Sequence, residues 1–231
     1  MLPMLNSHEL IGEIILIDND VIKTDYEIIG LSKINYQPQQ KNIYTNPAWN
    51  LGVKLAKYNK LLLLNDDCLA NINSLEQIYE QITPDKGLIG YSALSYCTYT
   101  IDMFESFCQN GFGDNITFEI LNPMFYSQRS GMPHISYGCM MYAHKESFYE
   151  IPEEFKIYYG DLFNYLMNLR EGKQNYQIEN GFVMTQMSST VNSVGTRKDA
   201  LSPIDLEEHD LLRPVFAKHG LSNFKYRTVV G

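Results

Sequence analysis

The triplet Asn65-Asp66-Asp67 sets two carboxylates and an amide side by side, directly after the apolar run Leu61-Leu62-Leu63-Leu64. Carboxylate oxygens are what hard divalent cations bind, and such a cation offsets the concentrated charge of a nucleotide diphosphate. One acid of the cluster then holds the metal while a neighbouring group meets sugar hydroxyls. Asn and Asp are equally at home in solvated turns, so the triplet alone does not separate a site from a bend. A second polar cluster, Asp18-Asn19-Asp20, closes another apolar run, Ile14-Ile15-Leu16-Ile17. Ligands of open α/β sheets bind outside the carboxyl ends of the strands. Two acidic loops on one such rim are what a metal-assisted nucleotide site needs.

The elements that must position these clusters show in the short-range pattern. The stretch 13–17 reads as a buried strand, and 33–36 as a second. Thr45 or Asn46 caps a helix that Pro47 opens, predicted over 47–57 with Ala48, Trp49, Leu51 and Leu55 turned inward. Four leucines between polar turns fit a buried central strand over 61–64 better than a helix. Ser74 caps an amphipathic helix carrying Leu75, Ile78, Tyr79 and Ile82. Residues 84–87 end it, and 88–91 form the next strand. Further strands are expected over 136–143 and 181–187, helices over 161–171 and 206–218, and a helical turn at 145–150. Residues 97–132 are irregular and rich in aromatics and glycine. Strand, helix, strand, helix, strand predicts an α/β fold with a mostly parallel, Rossmann-like central sheet flanked by helices.

Composition narrows the function classes. The 231 residues are 45% hydrophobic and 19% charged, which suits one domain with a sizeable core. With 27 acidic and 18 basic residues the net charge is −9, a field that repels nucleic acid. No apolar run is long enough to span a bilayer, and Met1-Leu2-Pro3-Met4 lacks the basic start of a signal peptide, so a cytoplasmic location is expected. Cys68, Cys97, Cys108 and Cys139 include no CxxC pair and fit no zinc spacing, which predicts reduced, mostly buried thiols.

Four segments in order carry a resemblance to a known family. They are Glu13-Ile14-Ile15-Leu16-Ile17-Asp18-Asn19, then Asn46-Pro47-Ala48-Trp49-Asn50-Leu51-Gly52 with Leu61 to Asp67, then Gly138-Cys139-Met140-Met141, then Tyr158-Tyr159-Gly160-Asp161. Over residues 11–187 this resembles the family 2 glycosyltransferases of the GT-A type, with rhamnosyltransferase-like members closest. The resemblance implies one GT-A-like domain over 1–231. Residues 1–95 form its nucleotide-sugar half, 96–190 its acceptor half, and 191–231 a C-terminal loop and helix. It implies metal-dependent, inverting transfer from a nucleotide-sugar donor to a hydroxyl of a glycan or other acceptor. Asp18, with Asn19 beside it, meets the nucleobase end of the donor. Asn50 faces the diphosphate or donor sugar, with Gly52 allowing close approach. Asn65 and Asp66 approach the ribose or donor sugar, and Asp67 holds Mn²⁺ or Mg²⁺. Asp161 is the general base that takes the acceptor proton. An aspartate opening a helix is also an ordinary cap.

Departures from the family pattern are specific. Gly160-Asp161 stands where members often carry Glu-Asp. The stretch 184–190, where a histidine often completes the metal site, has none; Gln186, Ser188 or water substitutes weakly, and His209 is a further candidate. His134 and His144 read as structural. Arg197 and Lys198, beside Gly195, read either as a loop that closes over the diphosphate or as two solvated charges. Trp49, Tyr137, Tyr158 and Tyr159 read as core aromatics or as platforms for sugar faces. Only residues 1–12 precede the first strand, room for one short helix where the family has a strand and a helix. An open strand edge is therefore expected, to be met by a homodimer or by an N-terminal rearrangement. Two other readings stand beside sugar transfer. One is a degenerate GT-A domain serving as a binding or assembly module. The other is a sugar nucleotidyltransferase, which needs a glycine-rich N-terminal loop not seen here.

Overall fold

The leucine run forms strand β3 (Lys60–Leu64) and packs by alternation, Leu62 and Leu64 against one core and Leu61 and Leu63 against another. In the computed structural model of the chain the described residues are 1–19, 30–69, 72–91, 96–97, 116–121, 137–181, 183–185 and 203–222. The protein is mixed α/β. Strands β5 (Ile89–Tyr91), β7 (Thr117–Ile120), β8 (Met140–His144) and β9 (Tyr176–Glu179) join β3 in a five-stranded sheet of order β3-β8-β5-β9-β7.

This sheet differs from the mostly parallel one expected. β8 runs antiparallel to both β3 and β5, β7 runs antiparallel to β9, and β5–β9 is its parallel pair. β3 and β5 do run the same way, as the crossover through helix α3 (Leu75–Gln81) requires. The difference arises because β8, far along the chain, inserts between them. Hydrophobicity over 136–143 announces a strand but not its neighbours.

Position explains why all five residues of β8 are buried. It has a strand on each edge and a helix on each face. Met140 and Tyr142 pack with Leu75 and Ile78 of α3 and with Ile82. Met141 and Ala143 pack with Leu63 and Tyr137, against Trp49 and Val53 of helix α2 (Thr45–Leu55). Each fully buried side chain of this size contributes about 1.5–3 kcal/mol. Gly90 of β5 lies flat against the Tyr137 ring, and an added Cβ would overlap ring carbons.

Two smaller sheets flank this one. β1 (Ile14–Asp18) pairs in parallel with β2 (Ile34–Pro38), Ile14 opposite Ile34 through Asp18 opposite Pro38. β4 (Cys68–Leu69), β10 (Val183–Thr185) and β6 (Tyr96–Cys97) form a three-stranded sheet. The clusters after β1 and β3 therefore end strands of different sheets, not of one. Among the described residues, β1 has its ladder with β2 alone and β3 with β8 alone, so each presents one open edge. The short helix expected before β1 is α1 (Leu2–Ser7), tied to β2 where Lys33 N donates to Asn6 Oδ1 at 3.0 Å.

Helix α4 (Gly160–Arg170) is not the one-sided helix that its apolar spacing suggests. Every residue from Leu162 to Asn168 is buried, whereas Leu169 is half-buried. Phe163 and Leu166 pack with Leu212, Val215 and Phe216 of helix α5 (Pro203–Lys218). Two asparagines of that buried run bind backbone. Asn164 accepts from Tyr149 N at 2.7 Å and donates to Tyr149 O at 3.0 Å, and Asn168 donates to Ser147 O at 2.9 Å. Among the described residues no helix is long and apolar enough to cross a membrane.

Candidate functional site

The Asn65-Asp66-Asp67 turn is held from both ends. Cys68 N closes it onto Asn65 O at 3.2 Å, and Asn65 N donates to Cys139 O at 2.9 Å, extending the β3–β8 ladder by one bond. The Asn65 side chain donates to Gly138 O at 3.3 Å. Asn65 is thus fastened to backbone, Asp66 is exposed, and Asp67 is half-buried with Oδ1 accepting from the Cys68 thiol at 3.6 Å.

Asp161 reaches the same turn from the start of α4. An added Cβ on Gly138 would lie 3.4 Å from Asp161 Oδ2, so the carboxylate faces a bare backbone turn. Asp161 Oδ1 accepts from Leu162 N at 2.8 Å, the local bond of a first-turn acid. Charges on both Asp67 and Asp161 act on Cys139. The structure therefore brings Asn65, Asp67, Gly138, Cys139 and Asp161 into one locality.

The segment before Asp161 owes its shape to polar stitches. Tyr159 sits at φ 62°, a region costly for a bulky residue, and directly precedes α4. Asn46, 1% exposed at the start of α2, donates to Phe155 O at 3.2 Å and Tyr158 O at 2.9 Å. Glu208 of α5, also 1% exposed, accepts from Lys156 N, Ile157 N and Tyr158 N at 2.8, 3.1 and 2.8 Å. Gly160 is needed because an added Cβ would overlap the Asn46 amide and Ile151 Cδ1. Asn46 and Glu208 are the residues that sequence reasoning missed. Asn46 carried a signal, since it lies one helical turn before Asn50 on the same face. Glu208 carried none.

Other expected site residues have different placements. Asn50 is fastened to backbone. Its amide donates to Ile151 O at 2.8 Å and accepts from Ile151 N at 2.9 Å, a paired bond that fastens α2 to the 151–160 segment. On the inward face of α2, Trp49 packs against two core clusters and Val53 against one, while the one fully buried residue is Asn46. Asp18 ends β1, 7% exposed, and accepts from Tyr36 O–H at 2.6 Å. Asn19 accepts from Ile43 N and donates to Tyr44 O, shaping the loop into α2. His144 accepts from Glu146 N, the structural role expected of it. His209 stands edge-on to the Tyr159 ring, centroids 6.5 Å apart. Arg197, Lys198, Asp20, His134, Gln186 and Ser188 lie outside the described residues.

The local electrostatics follow from burial and contact. The Cys139 thiol is held below its ordinary value, chiefly by the neighbouring Cys68 thiol, with burial and the charges of Asp67 and Asp161 opposing. The Cys68 thiol is pushed up by the neighbouring Cys139 and by burial. Burial, then Tyr165 and Asp161, holds the Tyr137 hydroxyl well above its ordinary value. Burial raises the Glu208 carboxyl against the opposing pull of its three N–H donors. No protein-family model matches the chain, and no curated protein matches it either.

Proposed function

We propose that the chain is a GT-A-like glycosyltransferase that moves a sugar from a nucleotide-diphosphate sugar to a hydroxyl acceptor with inversion. The observation that carries this reading is the convergence of Asp67 and Asp161 on the Gly138–Cys139 turn, from the end of β3 and the start of α4. One acid fits donor binding and the other fits proton abstraction. Asp67 offers the hard anionic oxygen that Mg²⁺ or Mn²⁺ takes, so the residues fit such a cation. Asp67 would hold the cation together with donor phosphate and water. When bound, the cation offsets the charge of the departing diphosphate.

In this scheme Asp161 accepts the proton of the acceptor hydroxyl as that oxygen attacks the anomeric carbon. The absence of a side chain at Gly138 lets the Asp161 carboxylate lie close to the turn. Asp18, ending β1, holds the nucleoside end, and Asp66, exposed on the turn, meets ribose or sugar hydroxyls. Calorimetric titration of UDP, GDP and dTDP, with Mn²⁺ and with EDTA, tests the reading. Binding of one nucleotide that disappears with EDTA supports it and identifies the donor class. A folded protein that binds none of the three overturns it in favour of a non-catalytic binding domain.

A further inference from the structure

Tyr44 directly precedes α2 with φ 68° and ψ 176°, a backbone region essentially reserved for glycine. Its neighbours fix that conformation. Tyr44 N donates to Asn42 Oδ1 at 2.7 Å, and Tyr44 O accepts from Ala48 N at 3.2 Å and from Asn19 Nδ2 at 3.4 Å. A glycine would sit here without strain. The tyrosine side chain does little for the fold. It is half-buried, belongs to none of the three core clusters, and its hydroxyl has no hydrogen-bond partner among the described residues. Tyr159 makes the contrast. At φ 62° it is strained too, yet its hydroxyl donates to Asp205 Oδ1 at 3.0 Å and its ring stands edge-on to Phe155. What the Tyr44 ring does meet is a cation: the Lys156 ammonium lies 5.9 Å from its centroid. That side chain is 38% exposed and only loosely paired with Glu207, at 3.9 Å.

The surroundings of the pair point to a ligand. Asn19, which holds Tyr44 O, follows Asp18 at the end of β1. Asn46 N, two residues beyond Tyr44, donates to Lys156 O at 2.9 Å. Tyr44 and Lys156 are therefore linked on one side to the acid that ends β1 and on the other to the segment that leads to Asp161. We propose that the two are a binding pair for a nucleoside diphosphate, the Tyr44 ring stacking on the nucleoside and the Lys156 ammonium meeting the diphosphate. Strain that the surroundings over-determine persists where function needs the side chain. An aromatic face accepts any base, and an ammonium serves phosphate as a point charge. A neutral sugar would have no use for the ammonium. The inference rests on the nucleotide-sugar reading and adds to it two residues outside the acidic clusters.

Thermal unfolding and calorimetric titration of the full chain test it, the probe being whichever of UDP, GDP and dTDP the wild type binds with Mn²⁺. Tyr44→Gly removes strain and ring together. It should unfold about 2–6 °C above wild type, net of glycine's larger unfolded-state entropy. It should also bind the nucleotide at least about fivefold more weakly. Tyr44→Leu keeps the strain and removes the ring, so it should bind as weakly with no gain in stability, which separates loss of the ring from loosening of the backbone. Tyr44→Phe should bind within about threefold of wild type. Lys156→Gln should weaken binding about threefold or more, with the loss shrinking as salt rises. A Tyr44→Gly chain that binds as tightly as wild type overturns the inference and leaves the donor reading standing. One that is less stable than wild type overturns it too, because the side chain then serves the fold. A folded wild type that binds none of the three nucleotides overturns both.

Discussion

Removing the Glu208 carboxylate is expected to loosen the approach to Asp161 more than its distance along the chain suggests. Three backbone N–H groups converge on it at 2.8, 3.1 and 2.8 Å. A hydrogen bond contributes about 0.5–1.5 kcal/mol net, and leaving a buried donor unsatisfied costs about 1–3 kcal/mol. The residues at 156–158 are half-buried, so water recovers part of the loss when the acceptor goes. Glu208→Ala should therefore cost about 3–4 kcal/mol, well under the gross sum. The pH dependence has a definite sign. Burial holds the carboxyl above its ordinary value of 4.5, so the folded chain keeps this proton more tightly than the unfolded chain does. Its contribution is fully present below the unfolded value and is lost as pH rises through the folded one. The penalty of Glu208→Ala should accordingly be larger near about pH 4 than near about pH 7. Urea unfolding followed by the fluorescence of Trp49, the chain's single tryptophan and a contact of two core clusters, measures both. A cost under about 1 kcal/mol, or one that grows toward neutral pH, would refute the reasoning.

Asn46→Ala removes the donors to Phe155 O and Tyr158 O and should cost about 2–3 kcal/mol; combined with Glu208→Ala the loss should fall short of additive, because one released segment surrenders both sets of bonds. Gly160→Ala forces a Cβ into the Asn46 amide and Ile151, and calorimetric unfolding should show a loss of about 1–3 kcal/mol. Asp67→Asn should leave stability within about 1 kcal/mol while weakening metal-dependent nucleotide binding at least about tenfold, read by the same titration. Asp161→Asn should keep nucleotide affinity and lower turnover by about 100-fold or more, so equal losses of both would speak against a base at this position.

What the sequence made legible was local. The strand at 61–64 and the helix after Ser74 were readable because apolar spacing and polar stops act over a few residues. The carboxylate clusters were readable because Asp and Asn recur at strand ends. Sheet partnership was not, because β8 takes its neighbours through packing of Met140 to Ala143 on two helical layers, and no nearby residue encodes that choice. The backbone pairing of Asn50 was not legible for a related reason. An asparagine at a helix start looks available to a ligand until its long-range partner, Ile151, is in place. Glu208 was invisible because a glutamate in a charged helix reads as solvated surface, and only the packing of α5 on α4 turns it inward.

The stitches along 147–160 have a consequence for chain length. Asn168 holds Ser147, Asn164 holds Tyr149, Asn50 holds Ile151, Asn46 holds Phe155 and Tyr158, and Glu208 holds the amides between them. Each bond names a particular backbone atom, unlike an apolar contact that a shifted neighbour can refill. Together they act as a gauge that counts residues from β8 to the start of α4. Side chains at exposed Glu150 and Glu153 can change freely within that gauge. A single insertion or deletion between 147 and 160 puts every later bond out of step at once, and Asp161 leaves the Gly138 turn with it.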